Sequence, residues 1–102
     1  MDIRDIEEKE EKLKRSIKRN CTFSIGRLQL HRKEDPEKKL VELELKELYD
    51  LYKEKYDVLR KQDADGQLIQ DTLYNKRLVL DTIELCKNPD LEPAHRKFNS
   101  LK

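Results

Sequence analysis

Between Asp35 and Lys61, large apolar side chains return at Val41, Leu45, Leu48, Tyr52 and Leu59, at spacings of four, three, four and seven. Such spacing keeps one stripe of a helix on a single face, the a/d seam of a coiled-coil-like element. Asp35-Pro36 supplies the start, since a carboxylate accepts from orphan backbone N–H groups and proline suits the first helical position. At 1.5 Å per residue the helix spans about 39 Å. Leu40, Leu43, Leu51 and Val58 lie outside the line and widen the expected buried face to meet more than one neighbour.

Gln62-Asp63-Ala64-Asp65-Gly66-Gln67 then breaks the pattern and reads as a turn, with Asp65 as a cap and Gly66 as the turn residue. A further apolar line follows from Gln67 to Lys87, through Ile69, Leu73, Leu80 and Ile83, broadened by Leu68, Leu78, Val79 and Cys86. Two helices of similar length joined by a short turn pack antiparallel. Asn88-Pro89 ends the second of them. A short helix from Pro93, with Ala94, Phe98 and Leu101 inward, fits the tail.

Upstream, Ile3, Ile6, Leu13 and Ile17 fit a thin heptad seam with Glu10 in one seam position, a helix only when docked. Cys21-Thr22-Phe23-Ser24-Ile25 alternates with period two ahead of Gly26, which favours a break and a short extended segment near residues 20–26. The expected fold is therefore all-α. An antiparallel helical hairpin over 35–88 is extended to a three-helix bundle or a dimer by the N-terminal segment 1–34, with 89–102 as tail or short helix. Nothing after Phe98 signals a stop, so the chain reads as part of a longer protein.

Composition narrows the class. Charged residues make up 44% of the 102 positions, and Leu, Ile, Val and Phe together number 27. Average domains carry about 25% charge, so this chain has a thin core and looks for burial from a neighbour. The net charge is only +1, yet no acidic residue occurs from Lys12 to Lys33. Lys12, Lys14, Arg15, Lys18, Arg19, Arg27, Arg32 and Lys33 form a basic run that could meet nucleic acid or an anionic membrane. The plainer role is a solvated helix face balanced by the acidic remainder. No apolar run reaches the ~18 residues that cross a bilayer, and no signal peptide opens the sequence. Cys21 and Cys86 then read as free thiols of a cytoplasmic or nuclear chain, and the Asn20-Cys21-Thr22 acceptor pattern as accidental.

Catalytic signatures are missing. His31 and His95 lack partners at metal-ligand spacing, and there is no nucleophile motif or glycine-rich phosphate loop, so neither an enzyme nor a cofactor is expected. Asp63-x-Asp65-Gly66-x-Leu68 resembles the middle of an EF-hand loop, but its first and twelfth positions fall on Lys61 and Thr72, which cannot supply the required carboxylates. Leu80-Asp81-Thr82-Ile83, with Arg96-Lys97, resembles the second and third helices of BAG domains, which bind the nucleotide-binding domain of heat-shock chaperones. That resemblance implies contacts through Asp81 and Arg96 and a third helix running about four turns past Lys102. The leading expectation is a non-enzymatic scaffold, adaptor or oligomerisation domain that meets another protein or a second copy through Leu43, Leu51, Tyr52, Leu78 and Val79.

Overall fold

The computed structural model describes residues 2–29 and 36–102, with side chains at 2–26 and 36–102. Four helices follow one another: α1 (Ile3–Gln29), α2 (Pro36–Lys61), α3 (Gly66–Leu85) and α4 (Glu92–Phe98). They form an all-α bundle of 50 × 20 × 15 Å. α2 lies at its centre, flanked by α1 and α3, while α4 packs against both α3 and α1. α1 and α3 make no direct backbone approach, and α4 is the wedge between them. Its Leu91, Ala94 and Phe98 are fully buried, with Leu101 packed beside them. The tail thus folds inward as its spacing suggests.

Each long helix buries a heptad line. On α2 all five expected seam residues are buried, and Lys55 fills the gap between Tyr52 and Leu59. On α1 the buried line is Ile6, Glu10, Ile17, Asn20 and Ser24. The register between the two is set by polar bonds. Glu10 accepts from the Tyr52 hydroxyl through Oε2 and from Lys55 Nζ through Oε1, both at 2.8 Å. Further along, Asn20 Nδ2 donates to Glu44 Oε1 at 2.7 Å. Those contacts run α1 antiparallel to α2.

Three expectations are corrected. α1 does not break at residues 20–26: it is one continuous helix through Gln29. Ile17, Cys21 and Ser24 share its buried face, so docking outweighs the helix penalty of Gly26. Leu40 and Leu43 do not widen the buried face of α2 and stand 47% and 58% exposed. On α3 the buried line is Thr72, Asn75, Val79, Thr82 and Cys86 with Leu78 beside it, rather than Ile69, Leu73, Leu80 and Ile83; of the expected broadening residues Leu78, Val79 and Cys86 are buried and Leu68 is not. The inner line tolerates burial because its polar groups are satisfied. Thr72 and Thr82 donate back to the carbonyls of Leu68 and Leu78 at 2.9 and 2.8 Å. The Asn75 side chain donates to the backbone oxygen of Lys102 and accepts from its N–H.

The turn between α2 and α3 is a Schellman motif. Ala64 N–H donates to the Leu59 carbonyl and Asp63 N–H to that of Arg60. The left-handed residue is Asp63, with φ of 52°, and not Gly66, which opens α3. Asp65 caps α3, accepting from Gln67 N–H at 3.1 Å, so both aspartates are explained by helix ends.

Two outcomes follow from the packing. Glu10→Leu should cost about 3 kcal/mol by stranding the Lys55 ammonium, and adding Lys55→Leu should recover most of it; urea unfolding of the three chains measures both. Asp63→Gly should raise stability by about 1 kcal/mol, because glycine accepts positive φ without a Cβ penalty. The urea midpoint should rise with an unchanged slope.

Candidate functional site

The corrected orientation of α3 leaves a second apolar line at the edge of the core, half-buried at Ile69, Leu73 and Ile83 and exposed at Leu80. Ile69, Leu73, Lys76, Leu80 and Ile83 repeat at spacings of four, three, four and three, each one residue beyond a member of the buried line or its extension. One residue is a rotation of about 100°, so the helix carries two heptad seams on different faces. The inner one is mostly polar. The outer one holds four aliphatic residues around one lysine, and Leu80 is 47% exposed.

Around this seam lies a shallow depression of about 480 Å³ lined by Tyr49, Gln70, Leu73, Tyr74, Lys76, Arg77 and Leu80. Tyr49 comes from α2 and closes one side. Lys76 Nζ sits 5.7 Å from the centre of its ring, and Lys53 Nζ lies 5.9 Å from the same ring. Tyr74, 42% exposed, forms the opposite edge, with Lys102 Nζ 4.5 Å from its ring centre. No carboxylate lines the depression. The surface is apolar at its base, aromatic at its edges and cationic at its rim.

The five residues expected to contact a partner separate. Tyr52 and Val79 are fully buried, Leu51 and Leu78 nearly so, and only Leu43 is exposed. Four of the five therefore hold the chain's own helices together and meet no partner while the bundle is closed. Among the described residues the exposed large apolar groups are Phe23, Leu40, Leu43, Leu68, Tyr74 and Leu80, while Leu73 is half-buried. The basic run also divides. Lys12, Arg15, Lys18 and Arg19 are exposed along α1. Lys14 is partly buried and pairs with Glu10 at 3.9 Å and Glu11 at 3.7 Å. The Arg27 side chain, Arg32 and Lys33 lie outside the described residues. Asn20 is buried and hydrogen-bonded, so the acceptor pattern around it is inaccessible. Asp81 and Arg96 are exposed, but α4 stops at Phe98 and the chain turns back onto Asn75. This is not the long third helix that the BAG resemblance implies.

Two thiols and one phenol inside the bundle are set against charging. Burial, then the neighbouring Cys86 and Glu44, pushes the Cys21 thiol from 9.0 up to about 12. Burial, then Glu42, pushes Cys86 up to about 11, with Lys38 opposing. Burial followed by the Glu10 carboxylate raises Tyr52 well above its usual range. These are structural thiols and a structural phenol, held neutral as hydrogen-bonding or packing groups. No helix among the described residues is long and apolar enough to cross a membrane. Compared with protein-family models, curated proteins and solved structures, the chain matches none of them.

The raised thiols carry a pH signature. Unfolded cysteines ionise near 9.0 while the folded ones stay neutral until about 11 and about 12. The unfolded state therefore binds fewer protons in that window, and stability falls as pH rises through it. Thermal melts should show no dependence on these thiols below pH 9 and a declining melting temperature above it. In a Cys21→Ala/Cys86→Ala chain that decline should be shallower, with the remainder due to Tyr52.

Proposed function

We propose that this chain is a non-catalytic α-helical interaction domain, and that its contact surface is the outer seam of α3 with the flanking Tyr49 and Tyr74. The observation that carries this reading is the make-up of α3, where Thr72, Asn75 and Thr82 take buried positions beside Leu78 and Val79 while Tyr74 and Leu80 stand exposed. Soluble domains expose scattered apolar residues routinely, but a repeating seam edged by aromatics fits a helix-in-groove contact. Its mechanism is burial of Leu73, Leu80 and the tyrosine rings against a partner, with the rim cations setting orientation.

A second reading rests on Lys12, Arg15, Lys18 and Arg19, four exposed cations within about two turns of α1. They suit a polyanion such as nucleic acid or an acidic membrane surface, although no aromatic ladder accompanies them. BAG-like chaperone binding has less in its favour, given the short α4.

Leu73→Ser/Leu80→Ser should leave the fold within roughly 1 kcal/mol of its original stability. Leu48→Ala, in the core, should cost about 3 kcal/mol. A photo-crosslinker at position 77 should give a protein adduct in extracts of the source cells, absent from the serine variant and from a crosslinker at position 18. Adducts that ignore the serine substitutions would move the contact elsewhere. For the α1 surface, the exposed quartet changed to glutamine should abolish a salt-sensitive association with RNA, DNA or acidic vesicles. Failure of all three ligands to bind at low salt removes that reading.

A further inference from the structure

The chemistry of the outer seam specifies more than an apolar partner. At its centre stands Lys76, half-buried between Leu73 and Leu80, with its ammonium over Tyr49 and no carboxylate in the lining. Arg77 lies beside it, and Lys53 and Lys102 occupy the two aromatic edges, the latter 3.9 Å from Asp71. A purely apolar helix laid on this seam would take Lys76 out of water with only a tyrosine face to replace its hydration. Desolvating an ammonium without an opposing charge is strongly unfavourable. A carboxylate at the facing position removes that penalty.

The same problem is solved elsewhere in this molecule. Between α1 and α2, Lys55 occupies a seam position of an otherwise apolar line and is met by Glu10, while the Tyr52 hydroxyl donates to the other carboxylate oxygen. Ile6 and Ile17 are buried on either side of that glutamate along α1. The outer seam repeats half of this arrangement: a seam lysine, a neighbouring tyrosine and aliphatic residues on both sides, with no glutamate.

On the reading of the outer seam as a docking face, we infer that its occupant is a helix of another protein whose apolar heptad line carries one acidic residue, set opposite Lys76. The seam from Ile69 to Ile83 spans about four turns, or roughly 21 Å, and the partner helix must cover that length to bury it. A second copy of this chain is a poorer complement. Its exposed stripe on α2 carries only Leu40 and Leu43 before passing to Glu47 and Asp50, so it matches about half the seam.

The test uses the whole chain and two synthetic helices of about 21 residues, long enough for the seam with margin. Both carry leucine at every a and d position except a central one, which is glutamate in one peptide and lysine in the other. Fluorescence anisotropy should show the glutamate peptide binding at least about tenfold more tightly, the scale of a close charge complement against a like-charge clash. Lys76→Glu should reverse the order, with unchanged helicity by circular dichroism. Equal affinity for both peptides, lost together in Leu73→Ser/Leu80→Ser, overturns the acidic complement and leaves helix docking intact. No binding of either peptide to a monomeric chain overturns docking on this seam as well. A concentration-dependent dimer in light scattering, abolished by the same serine substitutions, would assign the seam to a second copy and overturn the inference.

Discussion

An ammonium and a carboxylate removed from water together must stay together, and that constraint organises this bundle. Glu10, Lys55 and the Tyr52 hydroxyl meet at 2.8 Å in an otherwise thin core. Sliding α1 by one residue along α2 would separate the pair and leave two buried charges without partners, which is far costlier than shifting an isoleucine along an apolar groove. The seam of α1 is too sparse to specify register by shape alone. The polar cluster does so, and the Asn20–Glu44 bond holds the other end of the same helix pair.

Once α1 is placed, the position of the tail follows from what remains uncovered. α1 and α3 flank α2 without approaching each other, and the gap is filled by Leu91, Ala94 and Phe98. Asn75 then fixes the end of that insertion by gripping both backbone groups of Lys102. A polar side chain in the inner line of α3 therefore has a definite use. It exchanges one layer of apolar packing for a directional anchor, a trade found where register matters.

The degree to which this could be read from the chain varies with the chemistry of each seam. α2 was legible because its line is aliphatic and aromatic apart from Lys55. Glu10 was legible as a seam position because the residues around it keep heptad spacing. The tail was legible through Pro93 and the spacing of Ala94, Phe98 and Leu101. α3 was not, because a threonine that returns its hydroxyl to the preceding turn packs much like valine yet counts as polar in any periodicity argument. The polar members of the inner line, Thr72, Asn75 and Thr82, are thus hidden from periodicity, while Leu78, Val79 and Cys86 are legible. The alternation at Cys21–Ile25 misled for a different reason: short patterns fit strand and helix alike, and only the docked face decides. Asp63 could not be preferred over Gly66 as the left-handed residue, since glycine is the usual choice there. Of the candidate contacts, Leu51 and Tyr52 on α2 and Leu78 and Val79 on α3 are buried in the chain's own core. Periodicity reports that an apolar face exists, and the neighbours decide whether it is covered.

The make-up of α3 links stability to binding. The contacts that α3 makes inward are partly polar and satisfied within the helix or by the tail, so they add less than an aliphatic seam would. Part of its aliphatic area, at Leu80 above all, stays on the outside, where it contributes to folding only when covered. A helix that covers it recognises two surfaces present together only in the folded bundle, Tyr49 on α2 and Leu73 and Leu80 on α3. Such a ligand has no site on the unfolded chain, and its binding free energy adds directly to the stability of the hairpin. The exposed seam and the thin core are then one property: apolar area withheld from folding is available for association.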